Sequence, residues 1–268
     1  TPGVEDWGLL LVPADLRPGE RRPAIVCMHG ASSDPADLIE TEAVDRRAGT
    51  IYRSYAARLA ARGFVVFAPA MPNNTGGEPF RRLQRKASPL GLSIFSLVAA
   101  SQGRAVAWLR ALPFVDSART AYYGMSYGGM AALRVPVMIG GFTAVVCSGH
   151  FTDAVRKMTS IDGRTSSVVF NVVPEMIEWN LAPRFGHAEM AALVAPRAFM
   201  VEHGTTDRVA PVEWVAAEFA RVRGLYARLG VPERAAIHTF EGGHTVMGTE
   251  AFAFLHRELA WPAPASAP

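Results

Sequence analysis

The segment Gly124-Met125-Ser126-Tyr127-Gly128-Gly129 is the part of this chain best fitted to do chemistry. A serine set in Gly-x-Ser-x-Gly, entered from the apolar run Ala121–Tyr123 and left through the small residues Gly129, Ala131 and Ala132, has the pattern of a strand–turn–helix elbow. The elbow holds its serine in a strained turn, at a cost of about 1–3 kcal/mol, so that the hydroxyl stands above a sheet. Gly124 and Gly128 omit side chains that would collide where strand and helix close on each other. A serine hydroxyl is a weak nucleophile near neutral pH, so it needs a base, and the base needs an acid to orient it.

With such an elbow the expected chain order is serine, acid, histidine. The run Arg197–Glu202 reads as a strand, and the loop after it carries Asp207. The carboxyl edge of an open α/β sheet is where active-site groups collect, which makes Asp207 the candidate acid. Glu202, at the strand end itself, is its rival. The base candidate is His244 in Glu241-Gly242-Gly243-His244, after the run Ala235–Phe240, where two glycines let the loop carry the imidazole over Ser126. His238 lies inside that run and His256 on a helix, while His150, His187 and His203 do not follow the last strand. An oxyanion formed during attack needs backbone donors. The Tyr127 N–H, next to the nucleophile, is one; the Ala31 N–H, after the turn His29-Gly30, is the expected second.

These groups can meet only if strands deliver them to one edge. Short apolar runs, Ala24–Met28, Phe64–Ala68, Thr120–Gly124, Phe142–Cys147, Arg197–Glu202 and Ala235–Phe240, alternate with helical stretches. That rhythm predicts buried parallel strands with helices on both faces of the sheet. Val215, Phe219, Val222, Tyr226 and Leu229 form one apolar helical stripe, and Gly230 with Pro232 ends it. The stretch 148–196 breaks the rhythm and is expected to be a lid-like insertion within a single domain spanning 1–268, with a frayed tail over 261–268.

The 268 residues are 50% hydrophobic and 19% charged, which excludes wholesale disorder. No run of 18 apolar residues occurs, so no membrane-spanning helix is expected. The net charge is +3, and of 27 basic residues only Lys86 and Lys157 are lysine. The basic residues are spread along the chain, so no nucleic-acid partner is expected. Cys27 and Cys147 lie in apolar runs and read as buried free thiols, and no Cys-x-x-Cys pair suggests a metal. The chain starts at Thr1 with no apolar leader, so no targeting segment is expected in it.

Taken together, the turn His29-Gly30, the elbow at Ser126, the stretch Ala195-Pro196-Arg197, Gly204 with Asp207, and Gly243-His244 resemble the α/β-hydrolase superfamily. More narrowly they look like its dienelactone-hydrolase-like and acetyl-xylan-esterase-like branch. The resemblance implies an α/β-hydrolase fold and a serine esterase that needs no metal or organic cofactor and acts on a small-molecule ester. Dienelactone hydrolases use a cysteine nucleophile; Ser126 stands in its place here and favours ordinary carboxylic esters. The prolyl-oligopeptidase group shares Gly-x-Ser-x-Gly-Gly, which makes a serine peptidase the alternative. Its members usually carry a β-propeller that these residues leave no room for. A non-catalytic binding module on the same fold predicts a broken triad, whereas every position here is filled. Substrate contacts are expected from His29, Gly30, from Phe151, Met158, Phe170, Met176 and Trp179 in the insertion, and from Arg81 in the basic run Arg81, Arg82, Arg85, Lys86. An arginine there suits an anionic acyl or sugar group.

Overall fold

The computed structural model describes residues 6–39, 50–71, 78–165, 178, 180–182 and 184–263. Seven strands, β1 (Gly8–Leu11), β2 (Arg22–Met28), β3 (Val65–Pro69), β4 (Val115–Met125), β5 (Ala144–Ser148), β6 (Ala198–Gly204) and β7 (Ala235–Phe240), make one sheet in the order β1-β3-β2-β4-β5-β6-β7. Only β1 pairs antiparallel, with β3; the other pairings are parallel. After β2 the chain steps to one side of the sheet, and after β4 to the other. The carboxyl ends of β2 and β4, paired through Met28 and Gly124, therefore flank the switch point where open α/β sheets open a crevice.

Side-chain alternation along the strands divides the core in two. Ala24, Val26 and Met28 of β2 face one cluster, with Phe95, Val98, Val106 and Leu109 of α3 (Ile94–Ala111) and with Val215, Phe219, Val222 and Tyr226 of α8 (Val212–Arg228). Ile25 and Cys27 face the other, with α1 (Tyr55–Ala60) and α9 (Thr249–Glu258). Shorter helices, α2 (Glu78–Ala87), α4 (Tyr127–Ala132), α5 (Val135–Ile139), α6 (Ala154–Thr159) and α7 (His187–Ala192), complete the described set. The mostly parallel sheet with helices on both faces is the arrangement expected from the alternating runs, and it fits the α/β-hydrolase fold that the resemblance implied.

The differences are local. Strand β1, four half-buried residues with no alternation to betray it, was not anticipated. Strand β4 begins five residues before the apolar run, because Arg22 and Pro23 of β2 pair back to Val115 and Asp116. The helical segment after Ser126 is two helices; Pro136, which has no N–H to give a preceding turn, opens the second. Cys27 and Cys147 are free and buried, and burial pushes the Cys147 thiol up to about 12. Among the described residues no single helix is long and apolar enough to cross a membrane. The α8 stripe is one residue shorter than its spacing suggested: Leu229, at the helix end, is 51% exposed. Phe219→Ala should therefore cost about 3–5 kcal/mol in urea denaturation, whereas Leu229→Ala should stay within about 0.5 kcal/mol.

Candidate active site

Ser126 sits between β4 and α4 with φ 62° and ψ −117°, a left-handed backbone that a non-glycine residue rarely holds. Its N–H donates to the Ser148 carbonyl of β5 at 2.9 Å, and its carbonyl accepts from the Met130 N–H at 3.0 Å. Three glycines make that turn possible. A Cβ on Gly124 would overlap the Gly128 carbonyl, and one on Gly128 would overlap the Met28 carbonyl at the end of β2. A Cβ on Gly129 would come within 2.6 Å of the Ser148 carbonyl. Helix α4 thus rests on the ends of β2, β4 and β5 at backbone contact.

The loops after β6 and β7 bring the other two groups. His244 Nε2 lies 2.8 Å from Ser126 Oγ, and His244 Nδ1 lies 2.8 Å from Asp207 Oδ2. Asp207 Oδ1 accepts from the Val209 N–H at 2.8 Å, and the carboxylate is almost fully buried. The two loops are stitched together: the Thr205 N–H donates to the Phe240 carbonyl and the Thr206 N–H to the Gly242 carbonyl, both at 2.9 Å. Gly242, at φ 148°, supplies the turn that the sequence assigned to it.

Glu202 takes a different place. Alternation puts it on the α1 and α9 face of the sheet, one residue out of phase with His203. It is fully buried and accepts three hydrogen bonds, from the Tyr123 hydroxyl and the Ser148 hydroxyl at 2.8 Å each and from the Gly248 N–H at 2.7 Å. Its carboxylate ties the loop that carries His244 to the sheet and does not touch the imidazole. His203 lies behind Asp207, with Nδ1 4.0 Å from Oδ2 and Nε2 donating to the Ala210 carbonyl at 2.9 Å.

The loop after β2 faces the nucleophile. A Cβ on Gly30 would lie 3.1 Å from Ser126 Cβ, so the backbone at Gly30 runs past the serine. The Tyr52 hydroxyl accepts from the Gly30 N–H and donates to Ser33 Oγ, at 2.8 Å each. His29 is buried; Nδ1 reaches the Gly30 carbonyl at 3.0 Å and Nε2 accepts from the Met71 N–H at 3.3 Å. Both its ring nitrogens are engaged by the protein, so His29 shapes this turn instead of presenting itself to a substrate. A neutral imidazole between a serine hydroxyl and a buried carboxylate can take the serine proton on attack and return it to a leaving group.

The prolyl oligopeptidase family model matches residues 52–265. The chain belongs to the prolyl oligopeptidase family. Solved structures with the same fold include a glucuronoyl esterase from Solibacter usitatus, with TM-score 0.72 and 16% identity over 95% of this chain and 77% of that one. An acetyl xylan esterase from Paenibacillus sp. R4 matches with TM-score 0.60 and 16% identity over 96% of this chain and 80% of its own. The Pyrococcus horikoshii acylaminoacyl peptidase matches with TM-score 0.60 and 16% identity over 94% of this chain but 37% of its own. The family and its fold make this a serine hydrolase of the esterase and peptidase type, in keeping with the α/β-hydrolase resemblance of the sequence.

The structure brings Ser126, His244 and Asp207 within hydrogen-bonding distance and sets Gly30 beside them. Trp179, Phe170 and Met176 lie outside the described residues, as does the side chain of Arg81. Phe151 is buried against Phe199 and Phe219 and packs the core instead of lining a pocket. Sequence reasoning missed Tyr52 and the role of Glu202. Their only signals were a polar group inside apolar periodicity, and neither reveals its partners.

Three consequences can be measured. Asp207→Asn should lower kcat by about 10⁴-fold through the wrong imidazole tautomer. Glu202→Ala should instead lower stability by about 3–5 kcal/mol, by leaving three buried donors without their acceptor. Burial also keeps His203 and His150 below their ordinary 6.5 and takes His187 down to about 3. Unfolded chains bind those protons first, so stability should fall as pH drops from about 6.5 toward 4. In His187→Asn, whose amide oxygen can still accept from the Thr152 N–H, the slope of stability against pH in that window should shrink by about 1.4 kcal/mol per pH unit.

Proposed function

We propose that this protein hydrolyses carboxylic esters through an acyl-enzyme formed on Ser126. The observation that carries the reading is the unbroken chain Ser126 Oγ to His244 Nε2 and His244 Nδ1 to Asp207 Oδ2, with both links at 2.8 Å. Ser126 Oγ attacks the ester carbonyl as its proton passes to His244 Nε2. Asp207 holds the Nδ1 proton and stabilises the imidazolium. The oxyanion is received by the N–H groups of Tyr127 and Ala31. His244 then protonates the departing alkoxide, and water repeats the sequence on the acyl-enzyme. Nothing in these steps calls for a metal or organic cofactor.

Peptide hydrolysis by the same groups is the second reading, and family membership is the observation that favours it. Esters are preferred because esterases recur among the solved structures of this fold, and the glucuronoyl esterase matches with TM-score 0.72 against 0.60 for the acylaminoacyl peptidase. The test is a panel of short-chain p-nitrophenyl esters and acyl-peptide p-nitroanilides, run on the wild type and Ser126→Ala. Ester hydrolysis should dominate and fall by about 10³-fold or more in the variant. Ester cleavage that survives Ser126→Ala would sink the mechanism, and faster anilide cleavage would turn the assignment to a peptidase.

A further inference from the structure

Two side chains beside the triad have no part in its hydrogen bonds. Gly149 follows β5 at φ 61°, and a Cβ there would lie 3.1 Å from His244 Cε1. His150 comes next, wedged against the elbow helix: a Cβ on Gly129 would sit 2.9 Å from its own Cβ. The His150 ring stands 5.0 Å from the His187 ring, and His187 Nδ1 is fixed by the Thr152 N–H at 3.1 Å. Neither nitrogen of His150 bonds to a described residue, and the residue is partly buried.

Seven residues further on is Lys157, in α6, the helix capped by the Asp153 carboxylate. Its side chain is partly buried, and the ammonium lies within electrostatic reach of Asp207, His150, His187 and His203. It forms no hydrogen bond or ion pair with a described residue. Arg134, the other cation acting on His150, is by contrast fully engaged: by Glu178, by the Met130 carbonyl at 3.0 Å and by the face of Phe95. The charge of Asp207 favours the Lys157 ammonium from a distance, but His244 and the Val209 N–H hold its two oxygens, and it makes no ion pair with Lys157. Burial lowers Lys157 to about 8, so it stays a cation at neutral pH, while burial keeps His150 neutral. A partly desolvated ammonium without a directly paired anion is unfavourable, and a ligand that brings one relieves it.

We propose that His150 and Lys157 form a subsite beside Ser126 that receives a free carboxylate carried by the ester substrate, with Lys157 pairing to it and His150 donating a hydrogen bond. This rests on the ester-hydrolase reading above. The basic run at Arg81 suggested an anionic substrate from the sequence; the subsite proposed here uses a different cation, on α6, for the same chemistry.

The carboxylate could sit on the acyl or on the alcohol side, and paired substrates separate the two. Mono-p-nitrophenyl succinate is compared with p-nitrophenyl butyrate, and 4-acetoxybenzoate with its methyl ester. In one pair the wild type should favour the anionic member in kcat/KM by about tenfold or more, and Lys157→Met should remove most of that ratio. A wild-type ratio near one in both pairs, or a preference that survives Lys157→Met, overturns the subsite while leaving the ester reading intact. Failure of the wild type on all four esters overturns both. Should Lys157→Met not fold, the wild type alone decides: succinate should inhibit p-nitrophenyl butyrate hydrolysis competitively at about a tenth of the concentration that succinamide needs at equal ionic strength. Equal inhibition overturns the proposal.

Discussion

The catalytic edge of this molecule depends on one backbone conformation, the left-handed turn at Ser126. It survives because nothing larger than a hydrogen projects from Gly124, Gly128 or Gly129 into the space between α4 and the sheet. Close approach is the purpose of the turn as much as its condition. With α4 at backbone contact, the ends of β2, β4 and β5 converge within one helix diameter. The loop at Gly30 then lies against Ser126, and Gly149 lies against the His244 ring. The strain, about 1–3 kcal/mol, is borne by the paired strands on either side.

A second constraint comes from below the sheet. Glu202 gathers Tyr123 of β4, Ser148 of β5 and Gly248 from the loop that carries His244. Ser148 is the same residue whose carbonyl accepts from the Ser126 N–H. One buried carboxylate therefore links the nucleophile's anchor to the base's loop by two short paths through packed groups. A base held only by a glycine-rich loop would sample many orientations, and catalysis through oriented groups tolerates little of that. The triad is thus fixed from both faces: by glycine contacts above and by a saturated polar cluster beneath.

Much of this could be read from the residues, and the reasons are physical. The elbow motif encodes a steric requirement that only glycine meets, so Gly124-Met125-Ser126-Tyr127-Gly128-Gly129 announces its own geometry. Asp207 and His244 follow apolar runs whose lengths mark strand ends. What stayed hidden depends on long-range pairing. Strand parity, which sends Glu202 and His203 to opposite faces, shifts with a one-residue change in where β6 is counted to begin. Strand β1 is held by its pairing with β3, not by its own pattern. The partners of Tyr52, Gly30 and Ser33, lie 22 and 19 residues away, and no local spacing encodes such a contact.

The charge balance also reads differently once partners are known. The excess of arginine first looks like a diffuse positive field. Yet Arg22 sits between Asp15 and Glu20, Arg134 on Glu178, Arg164 between Asp162 and Glu213, and Arg221 between Glu189 and Glu218. Arg58, Arg62, Arg110 and Arg156 lie over aromatic faces. Guanidinium suits these roles, since its planar fork binds carboxylates in pairs and its weak hydration tolerates stacking. An ammonium is a compact, strongly hydrated point charge that suits neither role as well. That a lysine, in a chain with so few, should occupy a partly buried position within electrostatic reach of Asp207 therefore marks a cation kept available, where the arginines around it are already bound.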